Sequence, residues 1–396
     1  MTEWKTYKIG DIGKVITGKT PKTTIAENYG GAIPFLTPSD DLSSKYAPQT
    51  TKTLAERGLS EVKNCLLPSN AICVSCIGSD LGKVVKIVKP SVTNQQFNSI
   101  IPSSDFDADF VYYLMTIVGK QLNYLSKTST AVPIINKTQF SNFEVCIPPL
   151  EEQRRIAGIL SAIDDKIENN RRINTNLELQ AQALFGNLIS NSNLEYKLIA
   201  DIEHLIETGR RPKGGVANIA NGVPSIGAEN IKGLGKYDYS KTKYITEEFA
   251  QSLKKGVVKG YELLIYKDGG KPGYFIPNFS IFGEGFPYEK MALNEHVFLL
   301  DFGDRGYNFF AYFYMQTEEV MKYLNAQGSK AAIPGINRND VESIAIPTIE
   351  NKTVKEFCAR VEPIITAILT NAKESSRLAT LRDTLLPKLM NGEIKL

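Results

Sequence analysis

A chain of 396 residues is long enough for two to three domains. With 42% hydrophobic and 22% charged residues it has material for packed cores, which excludes global disorder. Its 46 Lys and Arg against 43 Asp and Glu leave only +3, too balanced to mark a nucleic-acid binder by charge, and two histidines, His204 and His296, leave little for His-based catalysis or zinc binding.

In chain order, residues 1–147 read as a mixed α/β globular domain. Its β-branched runs include Ala71–Ile77 and Val84–Val88, and a helical stretch covers Asp109–Tyr124. Within the first run, Cys73-Val-Ser-Cys76 has no second pair and reads as buried structural cysteine rather than a metal or redox motif. Residues 148–190 read as a long helix that opens after Pro148-Pro149 with Glu151 and Glu152 near its positive end. Residues 191–347 repeat the α/β pattern, with a strand at Tyr261–Tyr266 and a helix at Asn308–Leu324. Residues 348–396 form a second long helix, stopped by Pro387 and Asn391-Gly392. Pro363 should kink that helix or mark its start.

The order domain, helix, domain, helix is a tandem duplication. Thr17-Gly-Lys-Thr-Pro21 matches Thr208-Gly-Arg-Arg-Pro212, and Asn94-Gln-Gln96 matches Asn294-Glu-His296. Thr130–Lys137 matches Lys330–Arg338. The helices agree at a constant offset of 201 residues: Ile156, Ile163, Asn170, Leu177 and Leu184 align with Phe357, Ile364, Asn371, Leu378 and Leu385. A neighbouring seam runs Leu160, Ile167, Asn174, Ala181, Leu188, with Val361, Ile368, Ser375, Arg382, Leu389 as its copy. Alternating three- and four-residue spacings are a coiled-coil pattern, so the two helices are expected to pair antiparallel. Asn170 and Asn371 interrupt the seams at mid-length. They are expected to meet each other, or Asn174 and Ser375, and to fix register.

Catalytic signals are poor. Gly13–Thr20 fits the P-loop pattern by letter, but a weak strand precedes it and Pro21 follows it, and the second copy keeps a basic turn while losing the Gly-Lys-Thr. No Asn-Pro-Pro-Tyr type methyltransferase element is present, and Asp164-Asp165-Lys166 reads as a solvated helix face. The start Met1–Lys8 lacks an apolar signal core, the longest apolar run (Phe309–Met315) is too short to span a bilayer, and the cysteine count is odd. A reduced, cytoplasmic protein away from membranes is expected.

Local basic and amide residues are more informative. Lys19, Thr20 and Lys22 lie in the first turn, and Arg210, Arg211 and Lys213 in its copy. Lys83, Asn94, Gln95, Lys267, Lys271 and Lys330 complete the candidate DNA-contact set. Cations in such turns reach phosphates, and amides and Arg read base edges.

The two Thr-Gly-x-x-Pro turns, Ile147-Pro-Pro-Leu-Glu-Glu-Gln-Arg-Arg-Ile-Ala-Gly-Ile-Leu160 and Leu385-Leu-Pro-Lys-Leu-Met-Asn-Gly-Glu-Ile394 resemble the specificity (S) subunit of type I restriction-modification systems. Glu350-Asn-Lys-Thr-Val departs from the Glu-Glu-Gln-x-x-Ile usual there. The resemblance implies an α+β (mixed) chain with two α/β target-recognition domains, each reading half of a bipartite site in double-stranded DNA. The helices would set spacing and dock modification (methyltransferase) subunits. It implies no catalysis and no cofactor on this chain, with S-adenosylmethionine on the modification subunits and ATP on a restriction (translocase/nuclease) subunit. A protein-interaction scaffold with a coiled-coil spacer is the alternative, and a P-loop ATPase a third, disfavoured one.

Overall fold

The computed structural model describes residues 4–78, 81–126, 134–191, 193–269, 273–330 and 333–396. The first half runs β1 (Lys5–Lys8), α1 (Ile9–Ile12), β2 (Gly13–Thr17), β3 (Tyr29–Leu36), β4 (Lys52–Leu54), α2 (Glu56–Glu61), β5 (Ile72–Ser75), β6 (Val84–Lys86), β7 (Val92–Thr93), β8 (Phe97–Pro102), α3 (Ala108–Ser126), α4 (Lys137–Ser141), β9 (Glu144–Ile147) and α5 (Leu150–Asn191). The second runs β10 (Tyr196–Leu198), β11 (Leu205–Thr208), β12 (Val223–Ile226), β13 (Lys243–Ile245), α6 (Glu247–Gln251), β14 (Leu263–Tyr266), β15 (Phe279–Ile281), β16 (Ala292–Leu293), β17 (Val297–Asp301), α7 (Arg305–Tyr314), α8 (Glu318–Gly328), α9 (Arg338–Glu342), β18 (Ala345–Pro347) and α10 (Lys352–Met390).

The duplication is visible in the sheets. Each half has a four-stranded sheet, β2-β8-β5-β6 or β11-β17-β14-β15, and a three-stranded one, β4-β3-β7 or β13-β12-β16. A two-stranded ribbon, β1-β9 or β10-β18, leads into each long helix. In both three-stranded sheets the last pair, β3 with β7 and β12 with β16, is parallel. Strands buried on both faces explain the unbroken apolar runs: Ile72–Ser75 and Leu263–Ile265 are wholly buried.

The chain folds as two compact units, residues 1–168 with 378–396, and residues 169–377. Each long helix contributes to both. In the first unit, Ile156 and Leu160 of α5 join Leu386, Leu389 and Met390 of α10 in a core with Phe110 and Tyr113. In the second, Ala181 and Leu188 of α5 join Phe357, Val361, Ile365 and Ile368 of α10. There Asn170 donates to the Ser375 hydroxyl at 3.2 Å and Asn371 to Asn174 at 2.8 Å, so residues that rise along one helix meet residues that fall along the other. The pairing is antiparallel, and of the two expected contacts the crossed one forms. Leu177, Leu184 and Ile364 are half-buried against this core. Ile163 and Leu378 are also half-buried, and Leu385 packs on the first unit's core.

Three expectations need correction. The helix expected at Asn308–Leu324 is two helices, because Thr317 takes an extended conformation at the start of α8 and turns its hydroxyl to the Tyr314 carbonyl. Pro363 does not start the second long helix, which begins upstream at Lys352 and continues through it. Asp164 is buried rather than solvated. It accepts Tyr113 Oη at 2.6 Å and Arg382 Nη1 at 2.6 Å, tying α3, α5 and α10 together within the first unit.

Candidate nucleic-acid interface

In each globular domain one end of the four-stranded sheet gathers several turns. Strand β2 ends at Thr17, opposite Asn98 of β8, and Val74 of β5 and Val84 of β6 lie at the same end. The chain then turns at Gly18, whose N–H donates to the Phe97 carbonyl at 3.1 Å, and the Lys19 N–H donates to the Thr93 carbonyl at 2.9 Å. A Cβ on Gly18 would lie 2.1 Å from the Asn94 carbonyl oxygen, so only glycine lets this turn rest on the 93–96 loop. In the second domain Gly209 rests on Leu293 with even less room, 1.6 Å, and its N–H donates to the Asn294 carbonyl at 3.2 Å.

The supporting loop is built the same way twice. Asn94 accepts the Gln96 N–H at 3.1 Å, and Asn294 accepts that of His296 at 2.9 Å. Their own N–H groups reach Leu36 at 3.1 Å and Ile226 at 2.9 Å. A further strand end is tied in alike, with Ile135 N–H to the Cys76 carbonyl (2.9 Å) and Ile336 N–H to that of Lys267 (2.8 Å). Beyond these, Asn136 and Asn337 cap α4 and α9 by accepting from Gln139 and Asp340.

On this shared frame the side chains differ. In the first domain Lys19 is exposed and Thr20 donates to Gln95 Oε1 at 2.6 Å. Lys22 is exposed, with its N–H on Glu61 at 3.0 Å. Lys83 is exposed at the same sheet end, three strands from the Gly18 turn, roughly 14 Å by strand spacing. A 430 Å³ cavity beside the turn is lined by Thr20, Thr23, Tyr29, Thr51, Lys52 and Thr53 among others. Asn94 is buried and its amide is bonded within its own loop, where it supports the turn.

The second domain is more charged. Arg210 is exposed, with its guanidinium over the Phe249 ring at 5.5 Å, and it lines a 370 Å³ cavity with Thr208, Ser252, Lys254 and Lys255. Arg211 pairs with Glu295 at 2.8 Å. Lys267 donates to the Glu295 carbonyl at 3.1 Å, and Asp268 accepts from His296 Nδ1. Lys213 is exposed before Gly214 and Gly215, whose positive φ angles of 93° and 80° make a tight bend. Lys330 is exposed two residues after Gly328, whose carbonyl accepts the Gly335 N–H. Lys271 lies outside the described residues. Sequence reasoning missed Phe249 as the ring under Arg210, and also Glu295 and His296, whose signal was their place opposite Gln95 and Gln96 in the repeat.

The arrangement suits contact with a polyanion and does not suit nucleotide cradling. Gly13–Thr17 is a strand, no helix starts at Lys19-Thr20, and the Gly18 and Lys19 N–H groups that a phosphate would need are already bonded. Among the described residues no group of His, Cys, Asp and Glu could hold a metal ion, and no helix is long and apolar enough to cross a membrane. Cys73 and Cys76 are buried, which pushes their thiols up to about 12 and about 11, as befits structural cysteines.

Residues 1–179 match the family described as the type I restriction modification DNA specificity domain. The chain is 26% identical to the type I restriction enzyme MjaIX specificity subunit of Methanocaldococcus jannaschii over 99% of its own length and 94% of the relative's. It is 34% identical to the HindI specificity subunit of Haemophilus influenzae over 42% of this chain and 38% of that one. In fold it is similar to the crystal structure of a type I restriction-modification S subunit from M. genitalium, with a TM-score of 0.58 and 16% identity over 98% of this chain and 96% of that one.

Proposed function

From the premise that this chain belongs to the family of type I restriction-modification specificity subunits, we propose that each globular domain reads one half of a bipartite site in double-stranded DNA through its sheet-end turns. One observation carries this reading. The loop that supports the turns keeps the same backbone bonds in both domains, while most of the side chains presented there differ: Lys19, Thr20 and Gln95 in one, Arg210, Arg211 and Glu295 in the other. A fixed frame with variable contacts is what two different half-sites require. Cations such as Lys19, Lys22, Lys83, Arg210, Lys213 and Lys330 would set position on phosphates, and Gln95, Arg211 and Glu295 would face base edges.

The paired helices would hold the spacing of the half-sites, and their outward faces would dock modification subunits. The chain itself performs no chemistry in this reading. S-adenosylmethionine would belong to the modification subunits and ATP to a restriction subunit, in the cytoplasm. The test is an exchange of residues 1–147 for the matching segment of another family member, followed by mapping of the methylated sequence made by the reconstituted complex. One altered half-site is expected; alteration of both, or of neither, overturns the two-reader scheme. A protein-interaction scaffold would instead show no steep salt dependence toward duplex DNA.

A further inference from the structure

The charged sheet end of the second domain also carries apolar side chains without a task in the reading above. Ile333 is 75% exposed, Tyr274 62% and Ile276 47%. Single exposed apolar residues are ordinary, but the segments that bear these three are tied to one frame. Phe275, between Tyr274 and Ile276, is fully buried and stacks on Tyr266 with ring centroids 5.3 Å apart. Asn325 of α8 donates to the Phe275 carbonyl, and the Phe275 ring lies directly on Gly328. The Gly328 carbonyl accepts the Gly335 N–H at 2.9 Å, and Pro334, next to Ile333, accepts the Gly269 N–H at 2.9 Å. Asp268, the partner of His296, bridges to Gly335. With Phe275 anchored inward, its two neighbours are turned outward beside the segment that bears Ile333.

An apolar patch rimmed by charge marks a contact surface. The rim here includes Lys267 and Lys330, and Arg210 and Arg211 lie on the same sheet end; Asp268 and Glu295 offset Lys267 and Arg211, and the positive charge that remains on Lys330 and Arg210 is complementary to a polyanion. The first domain repeats the theme: Ile134 is 58% exposed at its bridge to Ile77, the place that Asp268 and Gly335 take in the second. Resting on the DNA reading, we infer that Tyr274, Ile276 and Ile333 make apolar contact with the bases of duplex DNA in the groove on which the neighbouring cations seat it. Thymine methyls and partly unstacked base steps are the apolar surfaces that DNA offers to such side chains. This contact supplies an affinity that depends on sequence and little on salt, which phosphate pairing cannot provide.

The test uses the full chain assembled with its modification subunits. Binding is measured over a series of salt concentrations, to a duplex carrying the methylated site and to a scrambled duplex. For Tyr274→Ser with Ile333→Ser, a loss of about tenfold or more on the specific duplex is expected, with the scrambled duplex and the salt slope unchanged. Ile333→Ser alone, remote from the Phe275 anchor, covers the case of a misfolded double variant and should lose about threefold or more. Specific binding equal to wild type, equal losses on both duplexes, or release of the modification subunits overturns the inference, the last by making the patch a protein interface. If the wild-type complex itself shows no preference for any duplex, it is the DNA reading that fails.

Discussion

Asn371 donates its side-chain amide to Asn174 Oδ1 at 2.8 Å, and Asn174 passes its own to the Ile368 carbonyl at 3.0 Å. Beside them Asn170, 1% exposed, donates to Glu374 at 2.7 Å and to Ser375, while its own oxygen accepts nothing. Amides placed so fix helix register at a cost in stability. Asn174→Leu alone strands Asn371 and is expected to cost about 1 kcal/mol. Asn174→Leu with Asn371→Leu should recover that loss and melt above wild type. Thermal melts of the single and double variants decide it, and a double variant weaker than the single would contradict a register role.

Asp109 accepts Lys45 at 2.8 Å and Lys86 at 2.7 Å. Burial pushes its carboxyl up, but the hydrogen bonds and charges of the two lysines outweigh that and hold it below the usual carboxylate value. A group lowered in the folded state stabilises it above the unfolded value, about pH 4, and loses that effect as pH falls through the folded one. Asp109→Asn leaves Lys45, 2% exposed at its side chain, without a counter-charge. The variant should melt below wild type at pH 7, with the gap closing in acid. A gap that stays constant from neutral pH down to about pH 3 would refute the assignment.

Asp164 and Asp165 adjoin in sequence and differ in setting. Removing Asp164 takes the buried carboxylate from the Tyr113 hydroxyl and leaves Arg382 with the exposed Asp383, and Asp164→Ala is expected to cost about 3 kcal/mol. Asp165 is exposed and, among the described residues, accepts Tyr46 Oη alone, so Asp165→Ala should cost about 1 kcal/mol or less. Denaturant unfolding of both variants reads the contrast directly.

The glycine turns admit a sharper variant. A Cβ at Gly18 or Gly209 would meet backbone oxygen, which cannot rotate away. Gly18→Ala should cost about 1–3 kcal/mol and weaken recognition of one half-site only. Gly209→Ala should do the same for the other half. Methylation mapping with each variant is the readout, and an effect of either on both halves would break the assignment of one turn to one domain.

Thiol chemistry gives an independent check on the core. Cys146 is exposed, whereas Cys73, Cys76 and Cys358 are buried and their thiols are raised to about 12, about 11 and about 12. Alkylation of the native protein near neutral pH should label Cys146 first and leave these three until unfolding, as followed by mass spectrometry. Early labelling of Cys73 would show that β5 is not in a closed core.

Patterns carried by a repeat were legible in the sequence: the seam, the Asn positions within it (with the crossed contact one of two expected) and the paired basic turns. What failed were inferences from local chemistry alone. Asp164 reads as a surface charge among charged neighbours, and only Arg382, an opposite charge at a seam position of the other helix, signals that it turns inward. The break at Thr317 follows an aromatic run, Tyr307–Tyr314, whose burial on every side holds α7, whereas α8 buries only one stripe, Val320, Leu324 and Gly328. The attachment of residues 378–396 to the first unit depends on pairing across most of the chain, which no local window shows.

That attachment sets an order of assembly during synthesis. Leu386, Leu389 and Met390 complete the core that contains Ile9, Phe110 and Ile156. On the ribosome those residues emerge after everything the second unit needs, since that unit ends at Arg377. The domain translated first is therefore the one closed last, and until then its exposed apolar face is a natural client for a chaperone.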